Sequence, residues 1–198
     1  MNHLIKPIFE SWRSDFTRVI DCGYDVDIYD EILASVIDGD IMQPLNTGGE
    51  SFVWKHIDGD KVVKSTSTRL LGVSCDYEVN ADFWCRSLKT YNQVFPESKI
   101  TPIAFCIIEN DSSYFMTTQK FIEGVDATEE EIRRDLRKRG FRPCKNKETG
   151  YSRNIYFDGY YLIDDVRESN VIKSGGEFYY IDVGCYIVNN PDNYEFID

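Results

Sequence analysis

Histidine is almost missing from this chain, with only His3 and His56 among 198 residues. Ser-His-Asp and Cys-His catalysis therefore have no obvious base. Zinc-ligand spacing is missing too. The six cysteines, Cys22, Cys75, Cys85, Cys106, Cys144 and Cys185, form no C-x-x-C pair, and neither histidine lies near one of them. That usage suits reduced, mostly buried thiols and a cytoplasmic location. No stretch approaches the ~18 uninterrupted apolar residues of a membrane span. The start, MNHLIKPIFESWRSDF, lacks an apolar core followed by small residues, so no secretory signal is expected. Positive charge is scarce, 22 Lys and Arg against 34 Asp and Glu, for a net −12. Such a surface repels phosphate backbones and anionic lipids, so neither a nucleic-acid partner nor a membrane is expected. There is no internal repeat and no low-complexity segment.

Core-forming material is plentiful. Hydrophobic residues make up 42% and aromatics 14%, with thirteen Tyr and twelve Phe, which excludes disorder. The length fits one domain or two small lobes sharing a cleft. Residues 1–45 carry helical spacing in Ile8, Trp12, Phe16, Val19 and Ile20, then in Tyr29, Ile32, Leu33 and Val36. They read as a helical extension packed on the core. A hairpin follows: Ser51–Lys55 alternates, Asp58-Gly59 turns, and Lys61–Lys64 returns. Residues 74–92 regain helical periodicity, and strands are expected over Ile103–Glu109 and Tyr114–Phe121. Past Gly124, Asp126 or Thr128 caps a helix ending near Gly140, with glutamates in its first turn and arginines in its last. Residues 142–153 read as a polar loop. Three β-rich pieces come last: Asn154–Phe157, Tyr160–Val171 and Phe178–Ile187.

Four features carry possible chemistry. Thr47-Gly48-Gly49-Glu50-Ser51 sits at a hairpin tip, where glycines let backbone N–H groups approach phosphate oxygens, although most Gly-Gly turns only turn the chain. Lys64 ends the returning strand and can reach phosphates as a point charge, held by Glu78, or less readily by Asp76 or Asp82. Lys61 falls on the opposite strand face. In Asp164-Asp165-Val166-Arg167-Glu168-Ser169-Asn170, Asp165 can accept a hydroxyl proton and Asn170 can offer an amide oxygen to a hard cation; an acidic surface loop is the plainer alternative. Asp182 stands among apolar strand residues two positions before Gly184, and burying it would be costly unless it is paired or metal-bound. It follows Asn170 by twelve residues with a Gly-Gly turn between. A hairpin there would set amide and carboxylate side by side.

Glycine turn, strand lysine, helix glutamate, D-x-x-x-x-N and D-x-G occur in the order of the protein-kinase fold. The chain more closely resembles the kinase-like domain of phage and mobile-element polyvalent proteins. The likeness runs over residues 46–188 through Gly48-Gly49-Glu50-Ser51, Val62-Val63-Lys64, Asn92–Pro96, Gln119–Gly124, Ala127–Ile132 and Gly140-Phe141. It implies a minimal bilobal α+β fold: an extension (1–45), an N-lobe with hinge (46–124) and a truncated C-lobe (125–198). It also implies ATP and Mg2+ as cofactors. Gly48, Gly49, Glu50, Ser51 and Lys64 would meet the phosphates with Glu78 behind the lysine. Gln119, Phe121 and Ile122 would lie at the adenine. Asp165 would act as catalytic base, with Asn170 and Asp182 as metal ligands. The phosphate acceptor would be a protein or small-molecule hydroxyl. Ile163-Asp164-Asp165 departs from H-R-D and Val183 from the Phe of D-F-G. Fourteen residues follow Gly184, too few for an activation segment with A-P-E. A nucleotide-binding pseudokinase and an unrelated α+β interaction domain are the alternatives.

Overall fold

The computed structural model describes residues 27–29, 42–47, 51–56, 59–67, 81–108 and 112–197. Within them the fold is α+β, largely antiparallel sheet with two α-helices. Contacts divide the chain into two compact units, Met1–Cys85 with Ile100–Phe121, and Arg86–Lys99 with Ile122–Asp198. Neither unit is one continuous stretch, and the 46–124 segment contributes to both.

The first unit holds a six-stranded sheet. Its strands are β1 (Asp27–Tyr29), β2 (Met42–Thr47), β3 (Ser51–His56), β4 (Lys61–Ser67), β5 (Ile100–Ile108) and β6 (Ser112–Lys120), in the spatial order β1-β5-β6-β4-β3-β2. Only β1, which lies parallel to β5, departs from antiparallel pairing in this sheet. The β3–β4 hairpin and the β5–β6 pair form where the alternation places them. Helical spacing across residues 1–45 misleads at two points, since Asp27–Tyr29 and Met42–Leu45 are strands. Three residues cannot announce a period, and β1 is extended because its ladder with β5 satisfies its backbone groups. The remaining residues of that extension lie outside the described ones. Pro102 is tolerated inside β5 because the register shifts between Pro102 and Ala104.

Helix α1 (Ala81–Val94) realises the later part of the 74–92 periodicity, whose first residues lie outside the described ones. Its second half and the following 3₁₀ turn (Pro96–Ser98) count with the second unit. Helix α2 (Glu129–Lys138) starts at Thr128. The Thr128 side chain accepts from the Glu131 N–H while Glu131 reaches back to the Thr128 N–H, a reciprocal cap worth about 1 kcal/mol. Gly140, at φ +93°, ends the turn after the helix in a conformation that L side chains resist.

The rest of the second unit comprises two sheets. One runs β13 (Gly184–Ile187), β10 (Tyr161–Asp164), β9 (Tyr156–Phe157), β8 (Arg142–Asn146) and β14 (Tyr194–Phe196). The other runs β12 (Glu177–Tyr180), β11 (Val171–Ser174) and β7 (Val125–Asp126). Strand β8 corrects the expected polar loop over 142–153. Its charges hide a fully buried Cys144, and Lys145 meets Glu195 across the ladder at 3.7 Å. Phe95, Leu136, Ile163, Val171, Tyr180 and Cys185 join Cys144 in a fully buried core. Each large apolar side chain there contributes about 1.5–3 kcal/mol of burial.

Candidate active site

In the first unit, strand register decides which candidates share a face. Lys64 stands opposite Val53 on one side and Thr117 on the other, and Val62 opposite Lys55 and Gln119. Opposed residues point to the same side of a sheet and alternate along each strand. Lys64 and Gln119 therefore lie on one face, with Val53, Lys55, Val62 and Thr117. Lys61 stands opposite Lys120 on the other alternation, and both are exposed. Lys64 is half-buried and Gln119 buried. The Phe121 N–H donates to the Asp60 carbonyl at 2.5 Å, and Lys55 Nζ sits 3.8 Å from the centre of the Phe121 ring. Ser51 opens β3 opposite Thr66. Gly48, Gly49, Glu50 and Glu78 lie outside the described residues, as does Asp76. Ile122, the first residue after the chain passes to the second unit, is buried.

In the second unit three candidates meet. Strands β11 and β12 form the expected hairpin, with Val171 opposite Tyr180 and a turn at Gly175-Gly176. Asn170, 4% exposed, stands at its foot. Its Nδ2 donates to the Asp182 carbonyl at 2.8 Å, and to the carbonyl and Oδ2 of Asp165 at 2.9 Å each. Three acceptors around one nitrogen fix the amide orientation, because a flipped Asn170 would aim Oδ1 at three oxygens. Oδ1 is left to accept a long 3.4 Å bond from Ser169 Oγ. The Ile181 N–H donates to the Asn170 carbonyl at 2.9 Å, so the residue grips the 181–182 backbone twice.

The Asp182 side chain corrects one expectation. It is exposed, because β12 ends at Tyr180 and the chain bends at Asp182. Asn170 holds its backbone carbonyl, so no burial cost falls on the carboxylate. Asp165 has φ +53°, a left-handed conformation that Asp adopts more readily than most residues at a cost of about 1–2 kcal/mol. Its half-exposed carboxylate also meets Arg167 at 3.1 Å. Arg167 lies inside D-x-x-x-x-N, two residues after Asp165, but the motif itself gives that position no role. Asp164 points the other way, 4% exposed and opposite Gly184 in the ladder. A Cβ at Gly184 would collide with the Asp164 carboxylate and the Tyr186 ring and hydroxyl, so the glycine of D-x-G is there for room. Among the described residues no three His, Cys, Asp or Glu side chains gather as a metal-binding group.

Helix α2 braces this loop. The Glu129 N–H donates to Glu168 Oε1 at 3.0 Å, placing a carboxylate at the positive end of the helix. Lys173 ion-pairs with Glu131, and that contact, with the Thr128 N–H, holds the Glu131 carboxyl down to about 2. Tyr180 donates its hydroxyl to Asp135 Oδ2 at 2.9 Å. Burial first, and Asp135 second, push the Tyr180 phenol above its ordinary range. Arg139 lies between Asp135 and Glu97 at 2.8 Å from each. Burial works against its charge, but the two carboxylates outweigh that and raise its pKa.

Among the described residues no helix is long and apolar enough to cross a membrane. No curated protein and no solved structure matches the chain detectably. A family model described as a serine/threonine/tyrosine kinase found in polyvalent proteins matches residues 28–189, most of the length. The chain belongs to that kinase family.

Proposed function

We propose that the chain is an ATP- and Mg2+-dependent phosphotransferase, a two-lobed minimal kinase that moves the γ-phosphate to a hydroxyl of a protein or small molecule. The observation that carries this reading is the Asn170 side chain, whose one amide nitrogen ties Asp165 to the backbone of Asp182. The acceptor oxygen bonds to the γ-phosphorus as the bond from that phosphorus to the β,γ-bridging oxygen breaks. The hydroxyl proton passes to Asp165 and ADP leaves. Lys64, supported by Glu78, holds phosphate oxygens together with the Gly48-Gly49-Glu50-Ser51 turn. Gln119, Phe121 and Ile122 receive the adenine, largely through backbone groups. Asn170 Oδ1 and the Asp182 carboxylate are hard donors of the kind Mg2+ takes alongside phosphate and water. When bound, the ion neutralises charge on the phosphates. Arg167 adds a cation beside Asp165.

A nucleotide-binding module without transfer is the second reading. It is favoured by Ile163-Asp164-Asp165 in place of H-R-D and by the Asp165 carboxylate being shared between Arg167 and Asn170. Transfer of radiolabelled γ-phosphate to protein or small-molecule acceptors separates the two. Asp165→Asn should cut transfer on the order of 10²–10⁴-fold while Mg2+-ATP still raises the melting temperature. Stabilisation without transfer in the native chain supports the module. Asp182→Asn should abolish the Mg2+-dependent part of the shift, and a native chain indifferent to Mg2+-ATP sinks both readings.

A further inference from the structure

Three consecutive residues leading into D-x-G, Tyr180, Ile181 and Asp182, are each pinned. Asn170 takes the N–H of Ile181 and the carbonyl of Asp182. Tyr180 is held from α1, 89 residues earlier in the chain, where the Tyr91 hydroxyl donates to the Tyr180 carbonyl. The same hydroxyl lies 3.0 Å from the Ser98 carbonyl, so one proton is shared between two acceptors. Tyr91 is 2% exposed and its ring sits 5.5 Å from that of Phe95. Phe95 in turn stacks on Tyr180 with centroids 4.4 Å apart and planes at 25°. Phenylalanine would fill the Tyr91 site equally well, so the hydroxyl is explained by the carbonyls it meets.

We infer that Tyr91 is a positioning residue for the phosphotransfer site. Through the Tyr180 carbonyl it fixes the backbone that presents Asn170 and Asp182, and thereby sets the divalent-cation requirement. This rests on the phosphotransferase reading for its last step only. The backbone step stands on hydrogen bonds in the second unit. Resemblance to the kinase family does not point to a phenol here, and the motif residues from Asp165 to Gly184 do not include it.

The test compares the native protein with Tyr91→Phe, which keeps the ring, and with Thr90→Val. The latter removes the neighbouring buried hydroxyl, whose bond goes to the Arg86 carbonyl within α1. Two quantities are read: hydrogen exchange of the Ile181 amide by NMR, and the Mg2+ concentration giving half the thermal shift produced by a non-hydrolysable ATP analogue. Tyr91→Phe should speed Ile181 exchange and raise the Mg2+ requirement, each on the order of fivefold, the size of one net hydrogen bond. Thr90→Val should lower the melting temperature without moving either. Unchanged Ile181 exchange in Tyr91→Phe overturns the inference. So does faster exchange with an unchanged Mg2+ requirement, or an equal effect from Thr90→Val. A native chain that ignores Mg2+-analogue would refute the functional reading and the cation step together, while Ile181 exchange still decides whether Tyr91 holds the backbone.

Discussion

Replacing Asn170 tests the centre of the site, because its three acceptors lose a donor together. In Asn170→Ala the two backbone carbonyls each forfeit about 1 kcal/mol. The Asp165 carboxylate, 43% exposed, can turn to water and adds little. The total should be about 2–3 kcal/mol, a large part of the stability of an ordinary domain. Asn170→Asp keeps the shape but swaps the donor for a carboxylate facing two backbone carbonyls and the Asp165 carboxylate. At pH 7 it should be worse than Ala by about 1–3 kcal/mol. Burial and Asp165 raise the introduced carboxyl's folded pKa above its unfolded value near 4. A raised folded pKa means the loss is greatest at high pH and shrinks as pH falls through it. Urea unfolding followed by circular dichroism from pH 7 down to about 5 should therefore show Asn170→Asp closing on Asn170→Ala. Equal stability of the two at pH 7, or a gap independent of pH, refutes the donor role of this side chain.

Gly184→Ala should cost about 1–3 kcal/mol by collision with Asp164 and Tyr186, whereas Gly150→Ala, in open space at φ +73°, should cost only about 1–2 kcal/mol of backbone strain; urea midpoints compare them. Glu131 titrates near 2 instead of 4.5, so its stabilising contribution is present above 4.5 and is lost as pH falls through 2. Lys173→Met should move the NMR carboxyl titration of Glu131 part of the way back toward 4.5, the rest being held by Thr128; an unmoved midpoint contradicts the ion pair. Cys144, its thiol pushed up to about 12 by burial, and Cys185, raised by the same cause, should resist iodoacetamide at pH 8 until urea unfolds the second unit. Peptide mass spectrometry reads both, and native labelling of either contradicts its burial.

Local periodicity carried the hairpins and the capped helix. Alternation around Asp58-Gly59 and the Gly175-Gly176 turn declared strands, and Asp126 or Thr128 with the glutamates that follow declared the start of α2, which the structure puts at Thr128. Strand β8 stayed hidden because four of the residues in 142–147 are charged or amide-bearing, and only the buried Cys144 reveals which side faces inward. Strand β1 stayed hidden because pairing with β5 made it, and pairing is a property of distant chain. At the site, the spacing of Asn170 and Asp182 about the Gly-Gly turn foretold a hairpin with amide and carboxylate side by side, and the hairpin forms. It did not foretell that a backbone carbonyl would make the contact, which depends on where β12 stops. Arg167 and Tyr91 matter through what they touch, which a list of residue types does not disclose.

The division of the chain inside α1 has a consequence for synthesis. Phe95 emerges from the ribosome 85 residues before Tyr180, the ring it stacks on. At 5–20 residues per second that is a wait of roughly 4–17 seconds. For that interval Leu88, Tyr91 and Phe95 are greasy and uncovered, an opportunity for chaperones or for self-association. A fragment cut at residue 122 inherits the same defect permanently, since it carries Tyr180 without its stacking partner. Expression of the 122–198 piece alone should give insoluble material that co-expressed 81–99 peptide partly rescues.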